Sequence, residues 1–270
     1  MSLIDDIKKL RERTLCGFSS CKDALIESKG DIDEAVQILK KKGLKVADKR
    51  SGNETNEGII RAGVSSDRTY GTIVRLLCET DFVARGKDFI DCSEKIVDLI
   101  VRDKIKDLEE LNGIKYDDNI SVNNKITELI GQCGENIKLD FICVEGINLY
   151  CYNHFTKKVS SIVDLNKEGD NSEIGKNIAM HIVACNPISV DRNSVDSSII
   201  DSEKKIAIEL SSDEINESIR EKKVLGRLNK FYKENVLLEQ PWIFDAKKNV
   251  GQILSENKIN CINFFKLVKI

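Results

Sequence analysis

The 270-residue sequence predicts an α+β fold, on three observations. Capped, amphipathic helical periods fill the first 43 positions. Segments that alternate apolar and polar residues with period two recur between positions 58 and 165, interleaved with stretches of period 3.6. After Pro187 the chain turns polar and helical in composition. The predicted organisation is a three-helix module (1–45), a linker (46–57) and a core of two related antiparallel-sheet-plus-helix subdomains (58–135 and 136–200). A projecting helical hairpin or coiled-coil arm (201–236) and a C-terminal helix and strand that return to the core (237–270) complete it. Sheet-forming and helical stretches grouped in this way argue against a doubly wound parallel sheet.

In the module, Ser2, Ser20 and Asp31 each precede an acid by three residues (Asp5, Asp23, Glu34), the spacing of a capping box. Ile4, Ile7 and Leu10, then Cys21, Ala24 and Leu25, then Ile32, Ala35, Val36 and Leu39 give each helix one apolar stripe, and Gly30 and Gly43 fit the stops. Size and pattern are those of a ubiquitin-associated-type module. Residues 45–57 are charged and rich in Ser, Gly and Asn, which fits a linker or an extended helix end. Gly58–Ser65 and Tyr70–Cys78 read as a hairpin around Ser66, Asp67 and Arg68. A helix from Asp81 to about Asp103 follows, with Phe89, Cys92, Ile96, Val97 and Ile100 on one face, and another covers Val122–Cys133. Asn136–Cys143 alternates as a half-buried strand, Ile147–His154 and Val159–Leu165 continue its sheet, and Ile174, Ile178, Ile182 and Cys185 mark a helix. Asp201–Ser211 and Asp213–Val236 form the helical hairpin, whose second helix carries a narrow seam of Ile215, Ile219, Leu225, Leu228 and Phe231. The tail gives a short helix and an alternating strand through Ile259, Cys261 and Phe265.

A net charge of −3 from nearly balanced acids and bases leaves no overall positive field for a phosphate backbone, so nucleic acid is not the expected partner. No apolar run nears the roughly 18 residues that span a bilayer, and the N-terminus lacks a signal-peptide core. The expected location is cytoplasmic, with no membrane association. The nine cysteines are odd in number and include no C-x-x-C, which predicts inert, reduced thiols and no metal site. His154 and His181 are the two histidines available to a nucleophilic or metal site, and no phosphate-loop, dinucleotide-binding, zinc-protease or serine-hydrolase motif occurs. No catalytic residue and no cofactor is predicted. His181 falls in phase with buried positions and reads as a core histidine; His154, at a strand end, reads equally as structural or as a surface contact.

Glu79–Ala84 is the most informative stretch. A strand ends at Cys78, Thr80 can cap, and Asp81 suits the positive end of a helix. Phe82 stands seven residues before Phe89, so an uninterrupted helix would bury both on one face. Gly86 and the charged Arg85, Lys87 and Asp88 would instead break that phase and free Phe82. The pattern alone leaves both open.

Five runs carry a resemblance along essentially the whole chain. They are Ile7–Thr14; Cys21–Leu25 with Gly30 and Asp31; Thr80, Asp81, Phe82, Val83, Ala84; Met180–Ala184 with Pro187; and Gln240 and Pro241 with Val250. The chain resembles the bacterial translation elongation factor Ts family. That resemblance implies a guanine-nucleotide exchange factor, not an enzyme, whose partner is the GTPase elongation factor Tu. By the same resemblance Thr80, Asp81, Phe82 and Val83 enter beside the GTPase's Mg²⁺ and phosphate region. The N-terminal module, through Leu10, Arg11, Arg13, Phe18 and Lys22, and the C-terminal helix grip its nucleotide domain. His154 is a further contact by resemblance, and residues 201–236 are a place for weak self-association. Departures are visible too. Leu15, Cys16, Gly17, Phe18 and Ser19 stand where the family has a Gly-Ala-Gly turn and methionines, with Phe18 in a methionine's place. Phe155, Thr156, Lys157 and Lys158 replace its Gly-rich hairpin, and Ser160 and Ser161 interrupt the strand that follows. Two rival readings are an adaptor acting through residues 1–43 and a small enzyme using a Cys and a His.

Overall fold

Three helices open the chain: α1 (Leu3–Thr14), α2 (Phe18–Glu27) and α3 (Ile32–Arg50). Their stripes meet in a core of Ile7, Leu10, Cys21, Ala24, Leu25, Ala35 and Leu39, with Ile32 and Val36 packed against it, but Ile4, expected on the α1 stripe, is exposed. Asp31 caps α3, its carboxylate accepting the Glu34 N–H at 2.9 Å. Gly30, at φ +91°, ends α2 as expected. Ser20 is not a cap: α2 begins at Phe18, and the Cys21 N–H already bonds the Gly17 carbonyl at 3.1 Å, which closes a turn before Ser20 could cap one. The computed structural model describes residues 3–14, 16–118, 120–166, 171–212, 216–260 and 262–270, so the expected cap Ser2, together with Leu15, Asp213, Ile215 and Cys261, lies outside the described residues.

Gly43 does not stop α3, which runs on to Arg50 and so takes up the start of the 46–57 stretch. The glycine serves packing instead. Helix α3 crosses α7 (Val122–Cys133) at a Gly43–Gly131 contact, where a Cβ on Gly131 would lie 2.9 Å from the Gly43 Cα. Beside it, Gln132 Nε2 donates to the Thr14 carbonyl at 2.6 Å. The helical module is therefore tied to α7 by backbone-level contact, not only through its linker.

Two compact units follow from the contacts, one built from 1–63 and 72–143 with Ile270, the other from 64–71 and 144–269. In the first, β1 (Glu57–Val64), β2 (Tyr70–Cys78) and β3 (Lys138–Glu145) form a sheet in that order. Gly58 sits at φ +150° where a Cβ would come within 2.2 Å of the Leu76 carbonyl oxygen, so only glycine fits there. Helices α4 (Asp81–Ala84), α5 (Lys87–Asp103) and α6 (Leu108–Gly113) complete the unit with α7. Phe89, Cys92, Ile96, Val97 and Ile100 are all buried on α5, as its period requires. The sheet membership of β3 differs from expectation. It pairs with β2, not with the strands that follow it, because alternation places a strand's faces but is silent on its neighbour.

The second unit holds β4 (Leu149–Asn153) and β5 (Val159–Leu165), helices α8 (Ser172–Cys185), α9 (Ser197–Glu209) and α10 (Glu217–Asn235), the two-stranded β6 (Pro241–Trp242) and β7 (Asp245–Asn249), α11 (Val250–Glu256) and β8 (Ile262–Lys269). Its sheet runs β4-β5-β8, antiparallel throughout, so the tail strand supplies the third member. Ser160, Ser161 and Asp164 are buried in β5 with partners: Ser161 donates to the Ala179 carbonyl at 2.7 Å, and Asp164 accepts from Ile147 N–H, Asn148 N–H and Asn263 Nδ2 at 2.7–3.0 Å. With these bonds made, an apolar strand tolerates the three polar side chains. Helices α9 and α10 pack on each other as a hairpin, and the narrow seam on α10 is nowhere fully buried: among its described residues Ile219 and Leu225 are exposed and Leu228 and Phe231 half-buried.

Candidate functional site

The candidate segment begins where β2 runs out at Cys78. Thr80 is extended (φ −126°, ψ 154°) and α4 is a single turn, closed by Ala84 N–H to Thr80 O at 3.3 Å and Arg85 N–H to Asp81 O at 3.0 Å. Gly86, extended at ψ 137°, then caps a separate helix, and a Cβ there would lie 3.1 Å from the Val83 carbonyl oxygen. The register between Phe82 and Phe89 is thus broken at Arg85–Gly86. Phe89 is buried, while Phe82 is 83% exposed. Ala84 is the buried residue of the turn and anchors its inner side; Asp81 and Val83 are half-buried, and Asp81 pairs with Arg85 at 2.9 Å. Left to itself a one-turn helix is unstable, since nucleation fixes several dihedrals for one hydrogen bond.

Thr80 stands at the N-cap but does not cap with its side chain. Its hydroxyl donates to Glu135 Oε1 at 2.6 Å instead, and Glu135 Oε2 accepts the Glu79 and Thr80 N–H groups at 3.2 and 3.0 Å. Glu79 in turn accepts the Asn136 N–H at 2.6 Å, Asn53 Nδ2 at 3.0 Å and Arg50 Nη1 at 3.1 Å. The Asn136 amide, with help from Asn53 and Arg50, holds the Glu79 carboxyl below the usual carboxylate range. Sequence reasoning missed both acids as site residues. Their partners lie 26 to 57 positions away, and no local period signals such a pairing.

The module residues divide by exposure. Leu10 is fully buried in the module core, so it acts by supporting the module and not as a contact, because its apolar stripe is what joins α1 to α2 and α3. Arg11, Phe18 and Lys22 are exposed, Phe18 and Lys22 one turn apart on α2, while Arg13 pairs with Asp33 at 2.9 Å. His154, in the second unit, opens the β4–β5 turn. Its Nδ1 lies 3.2 Å from the Tyr152 hydroxyl and its ring 4.4 Å from that of Phe155, which is 83% exposed. Lys157 takes φ +59° in this turn, a conformation that glycine adopts without strain.

His181 is the core histidine that its phase predicts. It is fully buried, stacked on Trp242 at 5.2 Å, with Nε2 donating to Gln240 Oε1 at 3.1 Å. Burial pushes its pKa below 6.5. An unfolded chain therefore takes up this proton more readily, and the stability contributed is present above about pH 6.5 and is lost as pH falls below it. Denaturant titrations between pH 7.5 and 5.5 should show a declining midpoint, and His181→Gln should flatten that decline. Among the described cysteines all are free; Cys92 is buried and pushed up to about 11, whereas Cys133 is exposed. Among the described residues no helix is long and apolar enough to cross a membrane.

Comparison with known proteins is consistent over nearly the whole chain. A sequence model of the family described as Elongation factor TS matches residues 79–269. A protein of Amoebophilus asiaticus named Elongation factor Ts is 39% identical over 255 residues, which cover 93% of this chain and 92% of that one. Its namesake from Prosthecochloris aestuarii is 40% identical over 261 residues (93% and 90%), and that from Clostridium perfringens is 35% identical over 257 residues (93% and 85%).

Proposed function

This chain belongs to the elongation factor Ts family, and on that premise we propose that it binds elongation factor Tu in the cytoplasm and promotes GDP release. The observation that carries the reading is Phe82, a large aromatic 83% exposed on a turn whose base is pinned. An aromatic held outward in this way suits insertion into a partner, where such anchors contribute about 2–4 kcal/mol and rim charges less. Asp81, beside it, brings a carboxylate to the same point; placed near the GTPase's Mg²⁺ and phosphate region, the pair displaces contacts that hold metal and nucleotide. Arg11, Phe18 and Lys22 supply a second grip from the helical module. No proton transfer or covalent step is needed. A factor that binds the empty GTPase more tightly than the GDP-bound form must weaken GDP by the same ratio.

That reciprocity is the test. Titration of the chain against nucleotide-free and GDP-bound elongation factor Tu should give tighter binding to the empty form, by the factor through which the chain weakens GDP. Equal affinity for both forms would refute the proposal, because such a ligand shifts no equilibrium.

A further inference from the structure

The geometry points to Glu135 as the positioning residue that holds the Asp81–Phe82 turn in its outward form, with Glu79 as its counterpart. The inference rests on the exchange reading above and adds to it how the anchor is kept in place. Glu135 takes three donors from the two residues immediately before Asp81: Glu79 N–H, Thr80 N–H and the Thr80 hydroxyl, at 3.2, 3.0 and 2.6 Å. Glu79 returns the arrangement by accepting the N–H of Asn136, the residue after Glu135, at 2.6 Å. Each acid thus fixes the backbone next to the other, locking the end of β2 to the connection between α7 and β3. The lock reaches one element further. Arg50, the last residue of the long α3, and Asn53, just beyond it, donate to Glu79, and the Asn136 side chain donates to the Asn53 carbonyl at 2.8 Å.

The lock matters because α4 cannot hold itself. It is one turn long, its N-cap hydroxyl is committed to Glu135, and Ala84 alone anchors it inward. Without Glu135, two backbone donors and a hydroxyl lose their partner, and the turn samples other orientations. A protein whose binding-competent form is a fraction of the whole binds with its affinity reduced by that fraction. Removal of Glu135 should therefore raise the concentration of chain that half-saturates GDP release, by about tenfold if the competent fraction falls to a tenth, and leave the maximal rate nearly unchanged.

The experiment uses the 270-residue chain with elongation factor Tu loaded with a fluorescent GDP, and compares wild type, Glu135→Ala, Glu135→Gln and Thr80→Val. Glu135→Gln should rescue to within about twofold, since an amide oxygen still accepts both N–H groups and its NH₂ can donate to the Thr80 oxygen. Thr80→Val, which removes one of three donors and keeps the shape, should give an intermediate shift and serves if Glu135→Ala folds poorly. An unfolded fraction would raise half-saturation in the same way, so each variant's concentration is counted as folded chain from its denaturant melt, and the shift expected of the lock is the one that remains after that correction. In a Phe82→Ala background the Glu135→Ala shift should vanish, because the lock acts through that ring. Half-saturation unchanged in Glu135→Ala, or an undiminished shift in the Phe82→Ala background, overturns the inference. If the wild type fails to accelerate release, the exchange reading falls by itself. Amide hydrogen exchange at Glu79 and Thr80 then decides separately: protection lost in Glu135→Ala and kept in Glu135→Gln supports the lock, and equal protection in all variants overturns it.

Discussion

Phe82→Ala should slow chain-stimulated GDP release by about 30-fold or more, the kinetic equivalent of losing an aromatic anchor of roughly 2 kcal/mol, and adding Asp81→Ala should deepen the loss. The fold should scarcely notice. Phe82 is 83% exposed and separated from Phe89 by the Arg85–Gly86 break, so its truncation opens no cavity. Asp81 loses an ion pair with Arg85 that spans one turn on the surface, a contact worth at most about 0.5 kcal/mol. Both variants should thus unfold within about 0.5 kcal/mol of wild type while losing stimulation. That separation is informative, because a defect in folding would move both quantities together. Stopped-flow release at several chain concentrations, paired with denaturant melts, checks it. Wild-type stimulation in the double variant would remove this segment from the mechanism.

The largest expected effect on stability lies in the other unit. Trp242→Ala should lower the unfolding free energy by about 3–5 kcal/mol, the range for emptying a buried aromatic site. The indole is buried among Ile178, Ile182, Leu237, Val250 and Ile253. It stacks on His181 at 5.2 Å and touches Phe244 at 5.3 Å. Little can collapse into the space it leaves, since its neighbours come from different elements, α8, α11 and the segment around Leu237, each fixed by its own hydrogen bonds. The variant should also relieve part of the burial of His181 and so weaken the acid sensitivity described above, which ties two measurements to one side chain. Far-UV circular dichroism in urea follows the loss, as Trp242 is the single tryptophan and its fluorescence goes with it. A fall below about 1 kcal/mol would mean that the site repacks and that the indole is not a keystone of this core.

How much of this was legible in the sequence depends on how local the signal was. Strand β5 matches its expected range, and α5 buries the face its period assigns, because burial on one side imprints a period on the residues themselves. The cap at Asp31 was readable for the same reason: its bond to Glu34 spans three residues. Gly43 misled, since glycine fits both a helix stop and a close helix crossing, and only the position of Gly131 on another helix decides between them. The membership of β3 in the first sheet and the return of β8 to the second are pairings across long stretches of chain, on which alternation is silent. The two-stranded β6–β7 was not read at all, as the two residues of β6 show no period and the five of β7 hold a single apolar residue, Ala246.

The candidate site divides in the same way. Thr80, Asp81 and Phe82 were found through a strand end and an early helix signal, but whether Phe82 faced outward turned on the break at Gly86, which the sequence left open. Leu10 was placed among the contacts by resemblance, and its burial assigns it to the module's interior. Glu79 fell inside the stretch singled out but was given no role, and Glu135 was invisible, because a carboxylate that holds another segment's backbone leaves no mark on its own surroundings.

The most direct test of the central claim is release of labelled GDP from elongation factor Tu with the chain at one-twentieth of the GTPase concentration. Acceleration that continues through many turnovers, and falls by about 30-fold or more with Phe82→Ala, is the predicted result. A release rate that stays the same with and without the wild-type chain would contradict it.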